Sequence, residues 1–84
     1  MVVVDANVLL YAVDARGAHH AAARRWLDRA LGGPEAVGLA WVALLAFIRI
    51  GTNGAIMPTP MSVDDALGQV EAWLEAPAAV VVSP

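Results

Sequence analysis

The chain has 84 residues and a net charge of −3, and each of its basic residues is arginine. A global basic surface for nucleic acid is therefore absent. No cysteine occurs, which excludes disulfides, cysteine-based zinc sites and a thiol nucleophile and fits a cytoplasmic location. Apolar residues make up 60% of the chain, above the usual share of about 45–50%. This excess predicts helices that need a partner: a second subunit, another protein or further chain.

Apolar runs and turn residues predict alternating strands and helices. In chain order they are a strand over 2–4, a short helix over 5–14, an amphipathic helix over 18–31, a strand over 36–40, an apolar helix over 41–50, a turn-rich loop over 51–62, a helix opened by Ser62 and stopped by Pro77, and a strand over 79–82. This order favours an α/β fold with a parallel sheet and right-handed crossovers.

Two helices carry apolar stripes that we expect to be buried. The stripes are Ala22, Ala23, Trp26, Leu27, Ala30 and Leu31 in the second helix, and Val63, Ala66, Leu67, Val70, Trp73 and Leu74 in the last. The longest apolar run covers 37–48 and is shorter than the about 20 residues that span a bilayer. We interpret it as core and expect no membrane association.

Asp5 ends the first apolar strand. In open α/β sheets, ligands lie beyond the carboxyl ends of the strands, where a carboxylate can hold Mg²⁺ or Mn²⁺. Asn7 is close enough in sequence to orient Asp5 or a metal-bound water. Alternatively, Asp5 only caps the short helix that follows, because a carboxylate there accepts free backbone N–H groups.

Three segments together resemble the PIN domain, and most closely the toxin ribonucleases of VapBC toxin–antitoxin pairs. They are "VVVDANVLLYAVD", "HHAAARRWLD" and "GLAWVALLAFIRIGTN", which occur in the family's order and cover nearly the whole chain. The resemblance implies a three-layer α/β/α fold with a parallel sheet. Residues 1–84 would be the N-terminal portion of one such domain, with its first three strands and about four helices.

The resemblance also implies a function: a Mg²⁺- or Mn²⁺-dependent endoribonuclease that is inhibited by a cognate VapB-like antitoxin and forms a homodimer when intact. Asp5 matches the first metal-binding, catalytic acid of the family, and Asn7 matches a polar position beside the site. Aligning on "FIR", residues 47–49, puts Ala46 where a second family acid often lies. The remaining family acids would follow Pro84, so activity of these 84 residues alone is doubtful on this alignment.

Several other polar residues are candidates with two interpretations each. Arg16, Arg24 and Arg25 could hold RNA phosphates or form a solvated helix face. Arg49 and Thr52 could support the site, with Arg49 pairing with Asp5, or could end the third helix and order the loop after it. His19 and His20 make a poor metal site, because neighbouring helical residues point in different directions and no third ligand accompanies them. We expect His19 to be packed on the side of the helix that carries Ala22, Ala23 and Trp26.

A non-enzymatic hypothesis remains open beside the ribonuclease. The chain would then be an inactive remnant or an interaction fragment that binds an antitoxin or a toxin subunit. Ala46 and the absence of further matched acids favour it. A response-regulator fragment is a third possibility, but the lack of an acidic pair before Asp5 argues against it.

Overall fold

The computed structural model describes residues 1–83, which form three parallel strands and four helices. The elements are β1 (Val2–Val4), α1 (Ala6–Val13), α2 (His20–Leu31), β2 (Val37–Ala40), α3 (Trp41–Gly51), α4 (Val63–Leu74) and β3 (Ala79–Val82). The predicted elements are confirmed, although α2 begins two residues later than expected because turns occupy residues 15–19. None of these helices has the length and apolar character to cross a bilayer.

The strands lie side by side in the order β1-β2-β3. Val3 pairs with Gly38 and Gly38 with Val80, so these three positions share one face of the sheet. Val4 and Leu39, one position further along, are on the other face and are almost fully buried. Val3 and Val80, in contrast, are 58% and 44% exposed. The helices therefore cover one face and leave the other open.

This one-sided arrangement follows from the connections. Both crossovers step one strand in the same direction across the sheet, and right-handed crossovers of this kind put their helices on a single face. The predicted α/β class, with a parallel sheet of three strands and four helices, is confirmed. Of the three predicted layers, residues 1–83 form the sheet and one helical layer.

Helices α1 and α3 begin at the same edge of the sheet. Asp5 is the single residue between β1 and α1, and α3 follows β2 with no connecting residue. Ala6, near the start of α1, shares a groove with Ala43 and Ala46 of α3. Further along, Leu10 lies beside Gly51, the last residue of α3. The two helices thus run in the same direction from the carboxyl ends of neighbouring strands.

The core is centred on Phe47 of α3, which is completely buried. Its ring packs edge-on against Trp73 of α4, with centroids 4.9 Å apart and an interplanar angle of 63°, a geometry that stabilises aromatic pairs beyond their burial. Leu9 of α1 and Leu27 of α2 are also completely or almost completely buried. All four helices therefore meet the same core.

The predicted buried stripes are only partly right. In α4, Ala66, Val70 and Trp73 are buried, but Val63 and Leu67 are 57% and 46% exposed. In α2, Leu27 and Leu31 are buried, whereas Ala22 is exposed and Trp26 is 38% exposed. The helices contact their neighbours along a narrower strip than the apolar residues cover, because a single layer leaves their outer sides in solvent.

Gly68 provides a test of helix α4. It lies in the helix interior, and a Cβ placed on it would have no heavy atom within 4 Å. Gly68→Ala should raise the free energy of unfolding by about 0.5–1 kcal/mol, because alanine loses less backbone entropy in a helix. Urea denaturation followed by circular dichroism measures this. Gly38→Ala is the contrasting variant: its Cβ would be 3.0 Å from Val82 Cγ2, so no comparable gain is expected. An unchanged or lower midpoint for Gly68→Ala would contradict the packing described for α4.

Candidate functional site

Asp5 caps helix α1. Its backbone is extended, with φ −88° and ψ 169°, and its Oδ1 accepts a hydrogen bond of 3.1 Å from the Val8 backbone N–H. The predicted capping role is therefore confirmed. The side chain is exposed, and within residues 1–83 this is its one side-chain hydrogen bond. The second carboxylate oxygen remains available to a ligand, so capping and ligand binding are compatible on the same residue.

A shallow groove of about 380 Å³ opens beside Asp5. It is lined by Val3, Val4, Asp5, Ala6, Ala40, Val42, Ala43 and Ala46. Asp5 is thus the one ionisable side chain of a groove that is otherwise apolar. A carboxylate at the edge of an apolar surface can attract a cation, but this groove offers no second charged ligand to share it.

Ala46 faces this groove from the middle of α3. Alignment on residues 47–49 had put Ala46 at a position where family members often carry an acid. The structure brings that position to the same groove as Asp5. A carboxylate at residue 46 would therefore stand across from Asp5, and alanine leaves this side of the groove without charge.

Asn7, Arg49 and Thr52 do not line the groove. Asn7 is exposed in the first turn of α1. Arg49 is exposed one helical turn beyond Ala46 and forms no ion pair with Asp5 within the part of the chain described here. The Thr52 hydroxyl donates to the Ile48 carbonyl at 2.7 Å. This hydrogen bond supports the interpretation that Thr52 orders the end of α3.

The arginines proposed for RNA phosphates are on the α2 side of the molecule. Arg16 Nη1 donates to Thr59 Oγ1 at 3.1 Å, which ties the α1–α2 connection to the loop after α3. Arg24 Nε lies 3.7 Å from Asp28 Oδ2 in an exposed i,i+4 pair, a contact of little energetic weight. Arg25 is exposed. None of the three lines the Asp5 groove.

An aromatic contact that the sequence interpretation missed lies between α1 and α2. His19 does not pack beside Trp26 as expected; it is exposed, and its ring centroid is 4.9 Å from that of Tyr11. His20 Nδ1 lies 3.1 Å from the Tyr11 carbonyl oxygen, to which it donates when Nδ1 carries the proton.

Sequence comparison links this geometry to known proteins. No family model matches the chain. It is 52% identical over all 84 residues to "Ribonuclease VapC37" of Mycobacterium tuberculosis (strain ATCC 25618 / H37Rv), and the match covers 58% of that protein. It is 42% identical over all 84 residues to "VapC ribonuclease Mb2897" of Mycobacterium bovis, covering 57% of it. It is also 35% identical over 77 residues, 92% of the chain, to "Ribonuclease VapC33" of Mycobacterium tuberculosis, covering 54% of it.

The chain belongs to the VapC family. It spans about half the length of the curated VapC relatives it matches. The resemblance stated from the residues is therefore confirmed, and the likeness extends over every element from β1 to β3.

The groove of this VapC chain does not by itself make a magnesium site. Within residues 1–83, no group of three or more Asp, Glu, His or Cys side chains is close enough to hold a metal ion. Asp5 supplies one hard oxygen ligand of the kind Mg²⁺ prefers, and the other groove-lining residues are apolar. One carboxylate without companions is expected to bind Mg²⁺ weakly.

Substitutions of Asp5 can separate its two roles. Asp5→Asn should leave the unfolding free energy nearly unchanged, because asparagine is as good an N-cap as aspartate. Asp5→Ala should lower it by about 1 kcal/mol, because the Val8 N–H loses its acceptor. Urea denaturation of the three chains measures both effects. Equal destabilisation by Asn and Ala would show that the carboxylate charge, rather than the cap, stabilises α1.

Proposed function

We propose that this VapC protein takes part in hydrolysis of RNA phosphodiester bonds, with Asp5 as one of its catalytic, metal-binding acids. The observation that supports the proposal best is the position of Asp5. Its carboxylate is exposed at the carboxyl end of β1, the edge where open α/β sheets bind ligands. The relatives named VapC ribonucleases give the reaction class.

Mg²⁺ or Mn²⁺ is the cofactor of this proposal. Asp5 would contribute one ligand, and Asn7, two residues on, would support it through its side-chain amide. The further ligands would have to come from outside the groove described above, since its other lining residues are apolar. Arg49, one turn beyond Ala46 on α3, would face an anionic substrate bound at this edge.

Partners form a second part of the proposal. A VapB-like antitoxin is the expected inhibitor, because the relatives carry VapC names. Trp41, Val42 and Leu45 on α3 are 44%, 71% and 60% exposed, an apolar surface suited to an antitoxin helix or to the second subunit of a homodimer. We place these events, with the RNA substrate, in the cytoplasm.

A non-enzymatic role is the second candidate. It is favoured by Ala46, which leaves Asp5 without a carboxylate across the groove, and by the absence of a metal-binding group within residues 1–83. In that case the chain would bind an antitoxin or a toxin subunit through its exposed apolar surface and would not cut RNA.

Cleavage of labelled RNA by the purified chain distinguishes the two candidates. A ribonuclease should cut in Mg²⁺ or Mn²⁺, stop in EDTA and lose at least about 100-fold in rate with Asp5→Asn, since a lost metal ligand removes several kcal/mol of transition-state stabilisation. Asp5→Asn is the suitable variant because it retains the cap. Glu71→Gln, which removes an exposed carboxylate of α4, is the control and should be unaffected. Undiminished cleavage by Asp5→Asn would refute the role of Asp5, and Mg²⁺-dependent cleavage that Asp5→Asn abolishes would rule out the interaction fragment.

Ala46→Glu tests the geometry of the groove independently of activity. A second carboxylate facing Asp5 should tighten Mn²⁺ binding by about tenfold, equivalent to about 1.4 kcal/mol, because two hard oxygen ligands then share the ion. Isothermal titration calorimetry measures the affinity. Ala72→Glu adds the same charge on the exposed side of α4 and should leave it unchanged. Equal gains from both variants would point to a general charge effect and not to a site at Asp5.

A further inference from the structure

Two exposed aromatic rings lie together at the outer side of α1. Tyr11 is 41% exposed, and its ring centroid is 4.9 Å from that of His19, at an angle of 46°. Neither ring belongs to the hydrophobic core or to the partly buried side chains packed against it. The pair therefore contributes little to the burial that stabilises the fold, and both residues are exposed.

His19 also departs from the local rule for its position. It is the N-cap residue of α2, where Ser, Thr, Asp or Asn would accept a backbone N–H, yet its side chain makes no capping hydrogen bond. The ring instead turns to Tyr11. The neighbouring His20 ring fixes the junction, because its Nδ1 lies 3.1 Å from the Tyr11 carbonyl oxygen. The contact of His20 with the Tyr11 carbonyl thus holds α2 against α1 beside the pair, and the His19 side chain takes no part in capping α2.

The position of the pair relative to Asp5 follows from helix geometry. Tyr11 is six residues beyond Asp5, a rise of about 9 Å along α1. Asn7 lies between them, one turn before Tyr11 on the same exposed side. Arg16 is in the short connection that leads from α1 to His19. Within residues 1–83 its guanidinium makes one hydrogen bond, to Thr59, which engages one of its five N–H donors.

We propose that Tyr11 and His19 form a stacking platform for an unpaired base of single-stranded RNA, about 9 Å along α1 from the residue that would act on the phosphate, Asp5. The proposal rests on the ribonuclease function above and adds a base-binding position to it. Exposed aromatic rings beside a cation are how proteins hold unpaired bases, and such stacking tolerates any base. A duplex, whose bases are already stacked, would not use the platform.

Fluorescence anisotropy with a short, fluorescein-labelled single-stranded RNA tests this binding directly. The titration is made in EDTA, so that no metal-dependent cleavage interferes. Tyr11→Ala should weaken binding by about 5- to 100-fold, the range of one base–aromatic stack, and Tyr11→Phe should retain it. His19→Ala should weaken it too, and since His19 is exposed and caps nothing, this variant tests the proposal even if Tyr11→Ala unfolds. Binding of the corresponding duplex should be equal for all variants.

Trp26→Ala is the matched control, because Trp26 is 38% exposed and lines a groove that contains neither Tyr11 nor Asp5. Three results would overturn the platform. Tyr11→Ala and His19→Ala could bind RNA with wild-type affinity, Trp26→Ala could lose as much affinity as they do, or the wild-type chain could fail to bind RNA. If RNA binding depends on Tyr11 but no cleavage depends on Asp5, the proposed ribonuclease function fails and the stacking platform stands. If cleavage depends on Asp5 but Tyr11→Ala changes neither binding nor cleavage, the ribonuclease function stands and the stacking platform fails.

Discussion

The burial of Phe47 is the contact on which the rest of the structure depends. Its ring is fully enclosed and meets Trp73 of α4, which determines how α3 is rotated about its axis. With Phe47 pointing into the core, Ala46 and Val42 must face the groove beside Asp5, and Leu45 must face solvent. A single packing interaction thus decides which α3 residues can take part in the candidate site and which can meet a partner.

At Asp5, stability and function depend on the same side chain. One carboxylate oxygen holds the first turn of α1 through Val8, and the other is left for a ligand. The cap is useful to the proposed chemistry because it already holds the carboxylate at the edge of the sheet. Binding a ligand there costs little further side-chain conformational entropy. It also means that loss of activity in an alanine variant alone could not be assigned to chemistry, whereas asparagine keeps the cap.

The one-layer arrangement of the helices explains the unusually apolar surface. Met1, Val3 and Val80 on the open face of the sheet are 64%, 58% and 44% exposed, and α3 adds Val42 and Leu45. Exposed apolar surfaces of this kind are typical of interaction sites and ligand-binding grooves. The composition had predicted a missing partner from the 60% share of apolar residues, and the structure shows where such a partner would find apolar contact.

The sequence by itself determined the order of strands and helices, the parallel sheet, and the caps at Asp5 and Ser62. These depend on periodicity and on contacts within a few residues, such as the Ser62 hydroxyl that accepts from the Asp65 N–H at 3.0 Å. Only the tertiary structure decided that Trp26, Val63 and Leu67 stay exposed, that Ala46 faces Asp5, and that His19 meets Tyr11. Each of these depends on how two elements far apart in the chain, or joined by an irregular turn, rotate against each other, and local patterns carry no information on that rotation.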